Sequence, residues 1–131
     1  MIVAVDASAL VAIALGEPEA KAFDALLSSA SEAYMTSMNI AETGLALVLR
    51  NGRFRQDQFS EWLTEQRVIE RHLEGDLALA AYLRYGRGVH RAGLNLGDCF
   101  AYALAKQLDI PLLYKGDDFI FTDIRPALQP T

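Results

Sequence analysis

The sequence predicts a parallel α/β sheet covered on both faces by helices, in one domain spanning residues 1–131. Three observations carry that expectation. Short apolar runs such as Ile2–Val5 alternate with longer stretches of helical periodicity. No repeat, low-complexity tract or linker divides the 131 residues. Composition is that of an ordinary soluble domain, with 52% hydrophobic and 22% charged residues.

Taken in order, Ile2-Val3-Ala4-Val5 is an apolar run stopped by Asp6 and reads as a buried strand. Ala7 to Leu15 continues as a helix. Glu17 to Ser29 reads as a second helix, with either Ala22, Leu26 and Ser29 or Phe23, Leu27 and Ala30 supplying the 3–4 spacing. Ala33 to Thr36 is the second strand and Met38 to Arg50 the third helix. Asp57 to Gln66 is amphipathic, with Phe59, Trp62 and Leu63 on one side. A short strand is expected at Val68 to Arg71 and a helix at Leu77 to Tyr85. Leu94-Asn95-Leu96-Gly97 breaks the chain before a helix from Asp98 to Leu108. Pro111 to Tyr114 is a strand, and Thr122-Asp123-Ile124 is expected as a last short edge.

Composition excludes several classes. Cys99 is the sole cysteine, so no disulfide scaffold exists. The apolar stretch Ile2–Leu15 is interrupted by Asp6 and Ser8, short of the roughly 18 residues a membrane span needs. It has no basic leading segment and runs into Glu17-Pro18-Glu19, unlike a signal peptide. The reading is a cytoplasmic protein without a membrane partner. Net charge is −5, which opposes non-specific grip on nucleic acid. The signs are unevenly spread, however. Eight arginines face six acids between Arg50 and Arg91, a local balance of +2, against −7 elsewhere. Acidic metal ligands and a separate arginine face are compatible in one nucleic-acid enzyme. A solvated helix surface explains the same arginines.

The acids with the most informative positions are Asp6, Glu42, Asp98 and the pair Asp117-Asp118. Asp6 ends the first strand, where it serves either as a helix cap or as a site residue. Glu42 stands at the edge of the apolar stripe Met38, Ala41, Leu45, Val48 and Leu49, with no cation one turn away. Asp98 opens its helix, as a cap, a first-turn acid or a ligand. Asp117-Asp118 follow the Pro111–Tyr114 strand across Lys115-Gly116. Converging at the carboxyl ends of parallel strands, with Lys115 the sole local cation, such acids suit Mg²⁺ or Mn²⁺. Such ions support phosphodiester cleavage. His72, His90 and Cys99 are isolated, so zinc is not expected and the histidines are assigned to the surface.

The blocks Ile2–Ala12, Glu17-Pro18-Glu19, Thr36–Glu42, Leu94–Ala103 and Leu112–Phe119, in this order and spacing, resemble the PIN-domain ribonucleases, and within them the VapC-type toxins of toxin–antitoxin pairs. The resemblance covers nearly the whole chain. It implies a three-layer α/β/α sandwich and Mg²⁺- or Mn²⁺-dependent endoribonuclease activity. Asp6 and Asp98 would be the main metal ligands. Glu42 would bind metal through water or position the nucleophile, and the fourth acid would be Asp117, with Asp118 the alternative. Ser8 and Ser37 would support the site by hydrogen bonding. An RNA substrate, a homodimer and a VapB-type antitoxin are the implied partners. Phe23, Leu27, Phe59 and Trp62 are open to either the antitoxin or the core.

Two other classes compete: a catalytically silent PIN-like binding module and a phospho-acceptor receiver domain. The receiver requires an acidic pair ending its first strand, whereas Val5 precedes Asp6 and Ala7 follows it. A haloacid-dehalogenase-type phosphatase would need an aspartate where Ser8 stands.

Overall fold

The computed structural model describes residues 1–129. Strand β1 (Ile2–Val5) leads into α1 (Ala7–Leu15) and α2 (Ala20–Ser29), followed by β2 (Glu32–Thr36) and α3 (Ser37–Gly44). A π-helical segment, Leu45–Arg50, prolongs α3. Then come α4 (Gln56–Glu65), β3 (Val68–Arg71), α5 (Gly75–Tyr85), α6 (Leu96–Leu108) and β4 (Leu112–Leu113). The strands form one sheet in the order β3-β2-β1-β4, every neighbouring pair parallel.

Alternation along the strands feeds two cores. Val3 and Val5 of β1, Met35 of β2 and Leu113 of β4 pack with Leu10, Phe23, Leu26 and Leu27 on one face. Ala4 and Leu112 pack on the other with Ala81, Tyr85, Tyr102 and Leu104. The result is the three-layer α/β/α sandwich. Because all four strands run in parallel, their carboxyl ends share one rim, and the residues after β1 and β2 start there. Phe23, Leu27 and Phe59 are buried and Trp62 packs against the first core, so these four residues are structural.

Several elements depart from the sequence reading. The second helix begins at Ala20, because Glu17–Glu19 close the preceding helix: the Glu17 amide donates to Ala12 O at 3.0 Å. The helix expected over Met38–Arg50 changes type at Leu45. Its stripe also faces the other way: Leu45 and Leu49 are exposed, the latter by 74%, while Asn39, Thr43 and Leu47 are buried. The expected strand at Thr122–Ile124 is absent. Thr122 Oγ1 donates to Phe119 O and accepts from the Ile124 amide, a local turn that occupies the backbone groups a ladder would use. The chain rejoins the sheet edge only at a single bridge between Leu112 and Pro126. His90, expected at the surface, is half-buried: Nδ1 accepts from the Ala92 amide at 3.0 Å and the ring meets Tyr85 edge-on.

Candidate functional site

The β1–α1 junction sets the first acid. Asp6 caps α1, and its Oδ2 accepts from the Ser8 amide at 3.1 Å and the Ser8 hydroxyl at 2.6 Å. The cap and the site residue are therefore one carboxylate. Ser8 Oγ in turn accepts from the Lys115 amide at 3.0 Å, tying the loop after β4 to Asp6.

Asp98 arrives from the opposite face. Asn95 caps α6, so the helix starts at Leu96 and Asp98 occupies its first turn rather than the cap itself. The Asn95 side chain accepts from the Asp98 amide at 2.8 Å, and Asp98 Oδ2 accepts from the Asn95 amide at 3.1 Å. This reciprocal pair fixes the carboxylate before any ligand is considered.

Glu42 is placed by residues the sequence reading did not single out. Thr36 caps α3 and its hydroxyl donates to Asn39 Oδ1 at 2.5 Å. Asn39, fully buried, donates through Nδ2 to both Glu42 Oε1 and Gly97 O, each at 2.9 Å. One amide thus joins α3 to the start of α6. Glu42 lies directly against Gly97, where any Cβ would collide with its carboxylate. Two signals in the sequence point here: Asn39 lies three residues before Glu42 on a helix, and Gly97 directly precedes Asp98.

Burial and neighbouring charge act together on the two buried acids. Burial pushes Asp6 up to about 6, against the two Ser8 hydrogen bonds, and the charges of Glu42 and Asp118 push the same way. Burial also pushes Asp98 up to about 7, with Asp6, Asp118 and Glu42 adding to it. The charges of Glu42 and Asp118 thus act on both buried acids. Asp117, like Asp118, is exposed. It lines a cavity of about 550 Å³ with Phe23, Tyr114 and Lys115, and its charge acts on the Tyr114 hydroxyl. Ser37, expected to support the site, donates instead to Glu70 Oε2 at 2.5 Å, because its side chain leaves the start of α3 toward β3.

No cation compensates this cluster among the described residues. Lys115, the expected neutralising group, turns away to Glu17 at 3.0 Å and Glu19 at 3.5 Å. Cys99 is buried beside Asp98 and burial raises its thiol to about 11, which removes it as a nucleophile. Among the described residues no three His, Cys, Asp or Glu side chains close into a ready-made cage. Mg²⁺ characteristically takes one or two protein carboxylates and keeps waters and substrate oxygens for the rest. The donor set is all hard oxygen and lacks positive charge, which fits such an ion.

Comparisons with known proteins follow the same line. Residues 3–124 match the PIN domain family model. The chain is similar to the VapC ribonuclease Mb0640 of Mycobacterium bovis, 42% identical over 129 residues, covering 96% of this chain and 98% of that one. It is also similar to the ribonuclease VapC of Mycolicibacterium smegmatis, 41% identical over 123 residues, covering 92% and 95%. Among solved structures, VapC20 of Mycobacterium tuberculosis, described as a sarcin-ricin loop cleaving toxin, superposes with a TM-score of 0.72. It covers 95% of this chain and 99% of that one, and at 20% identity the likeness speaks to the fold.

Proposed function

The chain belongs to the PIN domain family, and on that footing we propose that it is a metal-dependent endoribonuclease, the toxin of a toxin–antitoxin pair restrained by a VapB-type antitoxin. The observation that carries the reading is a pair of buried, uncompensated carboxylates, Asp6 and Asp98, at the carboxyl rim of a parallel sheet. An isolated buried carboxylate costs several kcal/mol, so a fold that keeps such a cluster is storing that cost for a ligand. Family membership removes the receiver and dehalogenase-type alternatives.

In this proposal Asp6 and Asp98 hold Mg²⁺ or Mn²⁺, with Asp118 as the fourth acid in preference to Asp117. The bound ion would polarise the scissile phosphoryl group and lower the pKa of a coordinated water. The protein's own part is pre-organisation. Ser8 fixes Asp6, Asn95 fixes Asp98, and Asn39 aims Glu42 so that it positions the attacking water. The small Gly97 leaves the space that Glu42 fills. Homodimerisation belongs to the proposal, supported by exposed leucines at 45, 49, 79 and 83. Light scattering on the purified chain measures it. Among the described residues no helix is long and apolar enough to cross a membrane. A cytoplasmic location, where RNA and a reduced Cys99 coexist, completes the reading.

The decisive experiment is cleavage of a mixed RNA panel by antitoxin-free protein with Mn²⁺ or Mg²⁺, with EDTA, and beside Asp98→Asn purified identically. Metal-dependent cleavage lost in the variant is expected. Equal cleavage by both preparations refutes the site, and no cleavage of any RNA leaves the silent binding module as the better account.

A further inference from the structure

An acidic centre repels a polyanion, so the substrate must be gripped by cations near it. Five of the twelve basic groups are already committed to carboxylates. Lys115 is held by Glu17 and Glu19, Arg84 and Lys106 by Asp123, Arg55 by Asp57 and Arg125 by Asp109. Arg67 precedes β3 and Arg50 ends the π segment, both at the end of the molecule away from the carboxyl rim. Arg91, like Lys21, Arg53, Arg71 and Arg87, is in no ion pair among the described residues, and it is exposed. It also stands in the loop that delivers α6, which closes where Leu94 bonds back to Tyr85 and Arg87, one residue before the Asn95 cap.

The guanidinium of Arg91 lies 4.3 Å over the ring of Phe121. Phe121 is 43% exposed and follows Asp118 by three residues, in the turn built by Phe119 and Thr122. The contact therefore joins the two loops that bring Asp98 and Asp118 to the cluster. An exposed large aromatic ring and an unpaired guanidinium, stacked between the two loops that carry Asp98 and Asp118, match the means by which unpaired nucleic acid is held: a π-face for a base and a fork of donors for its phosphate.

We propose that Arg91 and Phe121 form a platform at the edge of the acid cluster that binds an unpaired base and the adjoining phosphate of single-stranded RNA. The inference rests on the ribonuclease reading and names where its substrate lies. Stacking fixes the base, the guanidinium fixes the phosphate, and the next linkage along the strand is presented to the carboxylates. The platform selects single-stranded segments because a base within a duplex offers no free face.

The test is binding of a short unstructured RNA to the full chain carrying Asp98→Asn, followed by anisotropy across a salt series. Phe121→Ala is expected to weaken binding by roughly 5- to 100-fold, with Phe121→Trp restoring it. Arg91→Gln is expected to reduce the dependence of log K on log salt by about 0.7, the loss of one single-strand phosphate contact. The melting temperature should stay as in the Asp98→Asn chain, and the same variants made with Asp98 intact should keep the shift caused by Mn²⁺. Unchanged affinity and salt slope in both variants overturn the platform, as does a preference for duplex RNA. A loss of affinity matched by a loss of melting temperature also overturns it, since the pair would then be only a staple between loops. Cleavage by the chain with Asp98 intact is scored separately. Binding without cleavage defeats the ribonuclease reading and leaves the platform standing, whereas cleavage with indifferent variants does the reverse.

Discussion

Two carboxylate centres in this molecule have opposite characters. At the carboxyl rim, Asp6 and Asp98 are buried among acids and rise to about 6 and 7. Between α5 and α6, partial burial also works against the charge of Asp123. There the Tyr102 hydroxyl at 2.5 Å, Lys106 at 3.2 Å and Arg84 at 3.6 Å outweigh it, holding the carboxyl below its ordinary range. The residue type is the same in both places. What differs is whether the fold supplies the countercharge. Where it does, the acid is a structural tether; where it withholds it, the acid is left for an external cation.

The sharpest way to break this comparison is to neutralise one acid from each centre. Asp98→Asn should lower RNA cleavage by about 10³-fold or more, since several kcal/mol of transition-state stabilisation pass through a metal ligand. The same change should raise the melting temperature of EDTA-treated protein at pH 7.5 by a few degrees. It removes a buried charge while an amide still accepts from Asn95. Activity and stability moving together in either direction would contradict the assignment.

Asn39→Ala comes next, with an expected loss of 10- to 100-fold in activity, because Glu42 loses its anchor. Stability should fall by about 1–3 kcal/mol in denaturant unfolding, the cost of leaving Thr36 and the Gly97 carbonyl unpaired in the interior. Wild-type activity in this variant would mean that Glu42 needs no positioning.

The pH dependence separates the centres further. Asp6 and Asp98 have folded values above the ordinary 3.8. Their contribution to stability is therefore complete below about pH 4 and is lost as pH climbs through 6 and 7. For Asp123 the shift is downward, so its contribution appears above its unfolded value and is lost on acidification. Between pH 5 and 8, metal-free protein should thus lose on the order of a few kcal/mol at most, through the rim alone. Mn²⁺ must displace protons there, so the rise in melting temperature it causes should grow over the same interval. A Mn²⁺ effect independent of pH would separate the metal from these two acids.

The smallest effect is expected from Asp123→Asn. Partly exposed ion pairs are weak, so about 0.5–1 kcal/mol should be lost, with cleavage preserved. A large fall in activity would show that the second centre is not merely structural.

Much of the site was legible before folding because its acids sit at the junctions a parallel sheet creates. Asp6 follows an apolar run and Asp98 opens a helix, and both positions are local. Asp118 was legible only as half of a pair. Asp117 and Asp118 are both exposed, on a loop whose course is set by Gly116 at φ +97° and by contacts with Ser8, Glu17 and Glu19 far away in the sequence. The inward face of α3 was misread for a related reason. Apolar periodicity assumes an oily interior, but this helix faces the site, so the buried residues include Asn39 and Thr43 while Leu49 is left in solvent.

By itself, the sequence determined the alternation of buried strands and helices, the family, and the acids at strand and helix ends, all of which are written in short-range pattern. Only the tertiary structure decided that Asn39 bridges α3 to α6, that Asp6 and Asp98 are buried together with no countercharge, and that Lys115 is spent elsewhere. These are contacts between residues far apart in the chain. Their energies depend on burial and on which charges are brought near, and neither exists until the sheet has assembled.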